Sequence, residues 1–381
     1  MAAPRVDIAL IGAGCAGLSL ALRLAQGGYG GRVLLVEPST EDTNDRTWCG
    51  WSDGEHPFAA ARVRRWWRWA VSTPAAETRC ASHELPYEML DARQVRRIGW
   101  EAVARRDDWI TRRGCRVQAL QALGRRMQVA LDNGEVFEAT WVLDSRAPGR
   151  RLGRPWLWQA FAGVELAGTP PLDPETARLM DFRTAEAPHL LTFTYQLPIA
   201  GDRRLLELTH FTPEPPAAAE LDASLQTLRA RLGLDGSHPL RYERGYLPMA
   251  PPLPQPGGRH IRIGAAGGSL RPATGYAFHA IQRWADACAS RLLAGRAPCP
   301  PERSRLLEWM DRVFLEALWR DPRLAPERFL QLFATAPSEA LARFLMGRPR
   351  PTDLARVITA LPTPPLLGAA LGTRPGNRRW A

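Results

Sequence analysis

Between Val6 and Glu37 the chain spells out one supersecondary unit. Val6-Asp-Ile-Ala-Leu-Ile11 reads as a short buried strand running straight into Gly12-x-Gly14-x-x-Gly17. An alanine- and leucine-rich helix follows to about Gln26. A second apolar strand, Val33 to Val36, then ends on Glu37, 20 positions after Gly17. Strand, glycine turn, helix and acid at these spacings predict a dinucleotide-binding βαβ unit. Gly12 allows the tight turn, Gly14 lets backbone N–H groups approach a pyrophosphate, and Gly17 lets the helix pack close to the strand. The helix N-terminus then offers its partial positive charge to the phosphates. An acid at Glu37 suits a free ribose 2′-hydroxyl, which favours FAD or NAD over NADP.

A chain of 381 residues is long enough for two domains. All 50 basic residues are arginine against 39 acids, a net charge of +11. The two signs are interspersed along the chain, so no nucleic-acid partner is expected. The basic surface could still attract anionic lipid head groups. Cys15, Cys49, Cys80, Cys115, Cys288 and Cys299 form no CxxC pair. They give neither a metal site nor a disulfide framework, which fits a reducing cytoplasm. The uncharged run Ile8 to Leu22 is 15 residues long, short of the roughly 18 that suggest a spanning helix. Three glycines punctuate it, so it reads as neither signal peptide nor anchor. The chain carries no GxSxG, HExxH or P-loop.

Further along, Asp91 to Arg106 looks helical. Cys115 to Leu123, Met127 to Leu131 and Val136 to Leu143 look like strands, with Asp132-Asn133-Gly134 as a hairpin turn. Asp144 closes a buried strand and returns the chain to the nucleotide sheet. The arginine- and tryptophan-rich segment 62–73 reads either as cation–π strand packing or as an interfacial membrane patch through Trp66, Trp67 and Trp69. From about 155 to 250, apolar and alternating runs predict an antiparallel sheet, with a helix from Leu221 to Leu232. The proline-rich stretch Leu247 to Gly258 reads as a connector. Ile261 to Gly268 supplies another strand and glycine turn, followed by a helix from Thr274 to Leu293. A late glycine turn is what a two-part FAD site needs, so FAD is preferred to NAD. The tail from Glu302 is helical, with Leu306, Met310, Val313, Phe314 and Ala317 on one face.

The fold class expected is therefore α/β: a Rossmann-like FAD-binding domain with a parallel sheet, an inserted antiparallel-sheet substrate domain and a helical C-terminal region. The boundaries fall at 1–150 and 256–295 for the two parts of the FAD domain, 151–255 for the insertion and 296–381 for the helices.

Several segments resemble the FAD-containing lycopene cyclases. They are Arg46-Thr-Trp48, Gln159-Ala-Phe-Ala-Gly163, Met180-Asp181, Leu205-Leu-Glu-Leu-Thr209, Glu243-Arg-Gly-Tyr-Leu-Pro-Met249 and the second glycine motif from Gly264 to Phe278. Met310-Asp311, Phe329-Leu330 and Ala360-Leu-Pro362 continue the resemblance to the tail. It covers nearly the whole chain in order. Related flavin monooxygenases usually carry Gly-Asp where this chain has Gly264-Ala265.

The resemblance implies acid–base cyclisation of the ψ end groups of lycopene and other ψ-end carotenoids to β rings, without net redox change. It implies FAD, in reduced form with NAD(P)H as reductant, held by Gly12, Gly14, Gly17, Glu37, Asp144, Gly264, Gly267, Gly268, Thr274 and Gly275. Such a site needs a proton donor in an apolar pocket. Glu207, between leucines, is the first candidate, because burial would raise its pKa. Glu243 is the second, against the reading of an exposed acid paired to Arg241 or Arg244. Asp181 is the third. His210 is expected to be structural. The substrate's solubility implies a cytoplasmic protein held peripherally on anionic membrane. The competing readings are a flavin-dependent monooxygenase or oxidoreductase on an apolar isoprenoid, and a non-catalytic FAD or carotenoid-binding protein.

Overall fold

The structure is a computed structural model and describes residues 3–147, 149, 151–184 and 189–361. Pro362, at the end of the tail segment compared above, lies outside the described residues.

Arg5–Ile11 is the central strand of the first sheet. It runs parallel to Val33–Glu37 on one side and to Val136–Asp144 on the other. Ile110–Arg113 and His260–Arg262 extend the parallel set at its two flanks. The helices Cys15–Gln26 and Phe278–Leu293 pack together on one face, over Ile8 and Leu10. On the other face, Val6, Ala9 and Ile11 meet Val117, Met127, Val129 and Leu131 from the hairpin strands Val117–Leu123 and Arg126–Leu131. Burial on both faces is why the strand is continuously apolar rather than alternating. The second part of the chain returns to this sheet as expected, but its helix starts at Phe278 rather than Thr274. Residues 271–277 are held in a turn, with Arg271 N–H donating to the Tyr276 carbonyl and Gly275 at a φ of +72°.

The second sheet runs in the order His238–Met249, Leu157–Ala167, Arg203–Thr212, Leu191–Ala200, Thr176–Asp181, Arg68–Ser72 and Glu77–Ala81. Two differences from the sequence reading stand out. Arg68–Ser72 and Glu77–Ala81, from the first part of the chain, join this sheet, and Arg68–Ser72 pairs parallel with Thr176–Asp181. Local periodicity carries no trace of a partner so distant in sequence. The strand His238–Met249 also takes in the start of the expected connector. Its Pro248 is tolerated because this is an edge strand.

Pleating divides the second sheet into two faces. Ala160, Ala162, Val164, Leu206 and Leu208 pack under the helix Ala218–Arg231. Phe193, Leu205 and Phe211 face the opposite way, into a core shared with Trp51 and the C-terminal helices Arg305–Arg320, Ala325–Thr335, Ser338–Leu345 and Pro351–Ala360. Asp311 on the first of these helices forms a buried pair with Arg271 at 3.0 Å, pinning the tail onto the second glycine motif. Breaking such a pair from one side costs about 3–5 kcal/mol.

The tryptophan segment resolves as packing. Trp66 and Trp69 are buried, and the Trp66 indole donates to the Pro198 carbonyl at 3.2 Å. Only Trp67 of the three is exposed, at 44%. The expected membrane patch of three tryptophans is therefore corrected: alternate strand residues turn inward. Its arginines Arg62 and Arg65 reach the buried Glu88. Among the described residues no helix is long and apolar enough to cross a membrane.

Candidate active site

The first glycine motif lies at the mouth of the parallel sheet. Gly12 takes a φ of +91°, and Gly17 packs so closely that a Cβ would stand 2.0 Å from the Gly12 carbonyl oxygen. Above Gly14 the space is open: an added Cβ meets nothing within 4 Å. The helix that starts at Cys15 has no side-chain cap and no acid in its first turn, so its N–H groups are free for an anion. The cleft in front of it, about 490 Å³, is walled by Gly12, Gly14, Glu37, Arg46, Arg113 and Arg146, among others. Glu37 accepts from Ala13 N–H at 2.7 Å and from Ser39 N–H at 3.0 Å, tying the second strand's end to the turn. Asp144 is placed differently. Arg146 and His260 engage its carboxylate, and Ser145 and Arg146 reach the cleft wall instead.

The second motif docks on the first. A Cβ at Gly264 would stand 3.0 Å from Ala16 Cβ. Gly267 is required because a Cβ would lie 2.3 Å from the Arg262 carbonyl oxygen, and Gly268 ends the short turn in a left-handed conformation. Thr274 turns its hydroxyl back on Tyr276 N–H at 3.4 Å. Gly275 admits Gln159 from the second sheet: a Cβ there would be 2.5 Å from Gln159 Oε1. The two sheets thus meet at the second glycine motif.

The two glutamates come together across one glycine. In the ladder, Gly163 is opposite Glu207 on one side and opposite Glu243 on the other, so all three share a face. A Cβ on Gly163 would stand 2.9 Å from Glu243 Cγ and 3.0 Å from its Oε1. The bare Cα is the space that lets the Glu243 side chain lean toward Glu207. Glu243 is buried, and its Oε2 accepts from the Thr47 hydroxyl at 2.6 Å and from Arg241 Nη1 at 2.7 Å. Its Oε1 is buried without a donor. Glu207, across Gly163 in the ladder, is the neighbouring acid. It accepts from Thr209 Oγ1 at 2.9 Å. Desolvation first, then the adjacent Glu243 carboxylate, push the Glu207 pKa well above the usual carboxylate range. Two like charges this close cannot both ionise in such a place.

Cys49, Tyr195, Glu207 and Tyr276 each keep accessible surface, yet desolvation is the largest influence on the acidity of all four. Tyr276 stands against Trp51 and Tyr87, with ring centroids 5.4 and 6.3 Å away. Tyr195 is directly opposite Glu207 in the ladder, and its ring lies 5.5 Å from that of Phe193. An acid held neutral among aromatic rings suits protonation of a hydrocarbon.

Asp181 is not brought to this pair. It pairs in the ladder with Thr194, the residue before Tyr195, and so lies on the opposite face of the sheet. Arg183 holds it at 2.6 Å. His210 faces the same way, bonded to Thr192 at 2.8 Å, and burial pushes its pKa down to about 3, so it is neutral. The Glu243–Arg241 pair foreseen from the sequence exists, but buried within a strand rather than exposed on a loop. Arg244 turns outward to Asp222. The sequence reading missed Thr47, Arg241, Tyr195 and Tyr276 as site residues. The alternation Arg241-x-Glu243 was the available signal, since residues two apart on a strand share a face.

The parallel sheet with its two glycine motifs, joined to a largely antiparallel second sheet, defines a protein of the dinucleotide-binding fold class. A flavoprotein/dehydrogenase from Cytophaga hutchinsonii shares the fold, with a TM-score of 0.62 at 12% identity over 97% of this chain and 99% of that one. Residues 7–371 match the lycopene cyclase protein family, and the chain belongs to it. It is 25% identical to the lycopene beta-cyclase of Pantoea ananas over 96% of this chain and 97% of that protein. It is 27% identical to the lycopene beta-cyclase of Pseudescherichia vulneris over 94% and 95%.

Proposed function

We propose that the chain cyclises the open ψ end groups of lycopene to β rings. The observation that carries this reading is the glutamate pair, Glu207 and Glu243, set beside the rings of Tyr195 and of Tyr276 from the second glycine motif. Neutral Glu207 protonates the terminal double bond. The neighbouring double bond attacks the resulting cation and closes a six-membered ring. A ring proton then leaves to the pair, which ends with the one proton it began with. Substrate and product are isomers, so no electrons are gained or lost.

FAD fits the cleft on two grounds: the open space above Gly14 and the uncapped helix N-terminus beneath it. Gly12 to Gly17 would take the pyrophosphate, and the Glu37 side would take the ribose. Arg46, Arg113 and Arg146 supply positive charge along the wall, and Gly264 to Gly275 would face the ring end. Reduced by NAD(P)H, the flavin would supply negative charge beside the developing cation. The test is cyclisation in D₂O with reduced flavin under anaerobic conditions. One deuterium per new ring, with no reductant consumed after the first reduction, is the expected result. Hydride label in the product, or one equivalent of reductant per ring, would overturn the reading.

A further inference from the structure

Arg241 is more deeply committed than its neighbours. Its Nη1 donates to Glu243 Oε2 at 2.7 Å, its Nη2 to the Thr47 hydroxyl at 2.6 Å and its Nε to Glu165 Oε2 at 2.8 Å. Glu165 is buried and is bonded through its other oxygen to Arg203. Thr47 in turn donates to the same Glu243 oxygen that Arg241 holds. The guanidinium is thus fixed at three corners, and it and one of its partners, Thr47, converge on one carboxylate oxygen of Glu243. The other oxygen of that carboxylate, Oε1, is the one that lies over the bare Cα of Gly163 toward Glu207.

We propose that Arg241, clamped by Glu165 and Thr47, is the positioning residue that holds Glu243 ionised with one oxygen aimed at Glu207, so that the pair carries a single proton. The proposal rests on the reading of Glu207 as the proton donor. Asp45 lines the same surface cleft as Glu243; the other charged and titratable groups described beside the pair are these. Arg241, Glu165 and Arg203 stand at one end. Cys49 comes from Thr47–Trp51, Tyr195 from Leu191–Ala200, and Tyr276 from the second glycine motif. The thiol and both phenols are pushed up and stay neutral across the working range, so Arg241 is the cation that decides how many protons the two carboxyls share. A fork is needed because a point charge cannot meet Glu165, Thr47 and Glu243 at once.

The decisive variant is Arg241→Gln in the full chain. Without the cation, Glu243 takes a proton of its own. In infrared difference spectra at neutral pH, wild type should show one buried protonated-carboxyl band that Glu207→Gln removes. Arg241→Gln should show a second band that Glu243→Gln removes. In turnover, the acid limb of the pH–rate profile should rise by at least about one unit. Arg241→Lys should restore the limb while kcat stays below wild type. Thr47→Val leaves every charge in place and removes one hydrogen bond to Glu243. It should move the limb the same way by less, and it carries the test if Arg241→Gln does not fold. A merely structural Arg241 would lower stability and rate without adding a band or moving the limb, and that outcome overturns the proposal. The bands are read without substrate, so they decide the proposal even if lycopene proves not to be turned over.

Discussion

The nucleotide cleft and the glutamate pair are built by opposite strategies. The floor of the cleft is local: its turn, helix, second strand and acid all lie between Arg5 and Glu37, and Gly12 and Gly17 each answer a contact within the same unit or with the strand end beside it. The pair is assembled across the ladder. Glu207, Gly163 and Glu243 come from three strands whose order in the sheet differs from their order in the chain. A local site tolerates change elsewhere in the fold. A cross-strand site depends on register, since a shift of one residue would turn both carboxyls to the helix-covered face.

The sharpest way to break the comparison is to damage each site alone. Gly14→Val fills the open space above the turn and should remove flavin entirely, with activity lost as a consequence. Glu207→Gln should retain flavin and fold while cyclisation falls by a factor of at least ~10². Flavin absorbance and pigment analysis on the two purified variants separate the effects. Loss of flavin in Glu207→Gln would show that the sites are not independent, and normal turnover in it would mean that another group donates the proton.

That contrast also explains what was legible beforehand. Spacing alone exposed Gly12, Gly14, Gly17 and Glu37, because the unit's geometry is written in consecutive residues. Glu207 was visible because a charge among leucines is costly unless it has a role. Gly163 was not, because a glycine in a strand announces a close approach without naming its partner. Arg241 reads only as a surface partner, because the sequence places Glu243 just before a proline-rich connector rather than within the strand His238–Met249 that buries both. Arg68–Ser72 joined the second sheet through a parallel pairing that no local pattern encodes.

A smaller effect sharpens the electrostatic half of the comparison. The folded-state pKa of Glu207 lies above its unfolded value near 4.3, so the native state binds this proton more tightly. The associated stability is fully present below the unfolded pKa and is lost as pH rises through the folded one. Glu207→Gln carries no such proton. Its stability relative to wild type should therefore increase as pH is raised from about 4.5 upward, by about 1.4 kcal/mol for each unit that separates the two pKa values. Denaturant melts of both proteins across that range measure it. A difference independent of pH would mean that Glu207 is not held neutral in the fold.

The smallest expected effect concerns Asp181, the third acid singled out from the sequence. It shares its strand neighbourhood with the pair but not its face. Thr194, its ladder partner, lies on the face opposite to Tyr195 and Glu207. Arg183 takes both Asp181 oxygens, at 2.9 and 2.6 Å, and is itself 38% exposed. The pair is therefore screened on one side, worth about 1 kcal/mol rather than the larger sum of a fully buried one. Asp181→Asn keeps the shape and one acceptor oxygen. It should leave kcat within about threefold of wild type, because a group that cannot reach the reacting atoms contributes no proton transfer, and it should lower stability only slightly. Steady-state cyclisation beside a denaturant melt checks both. A loss approaching that of Glu207→Gln would mean that the two faces of this sheet are coupled through the strand itself, and the division between an acid face and a structural face would have to be given up.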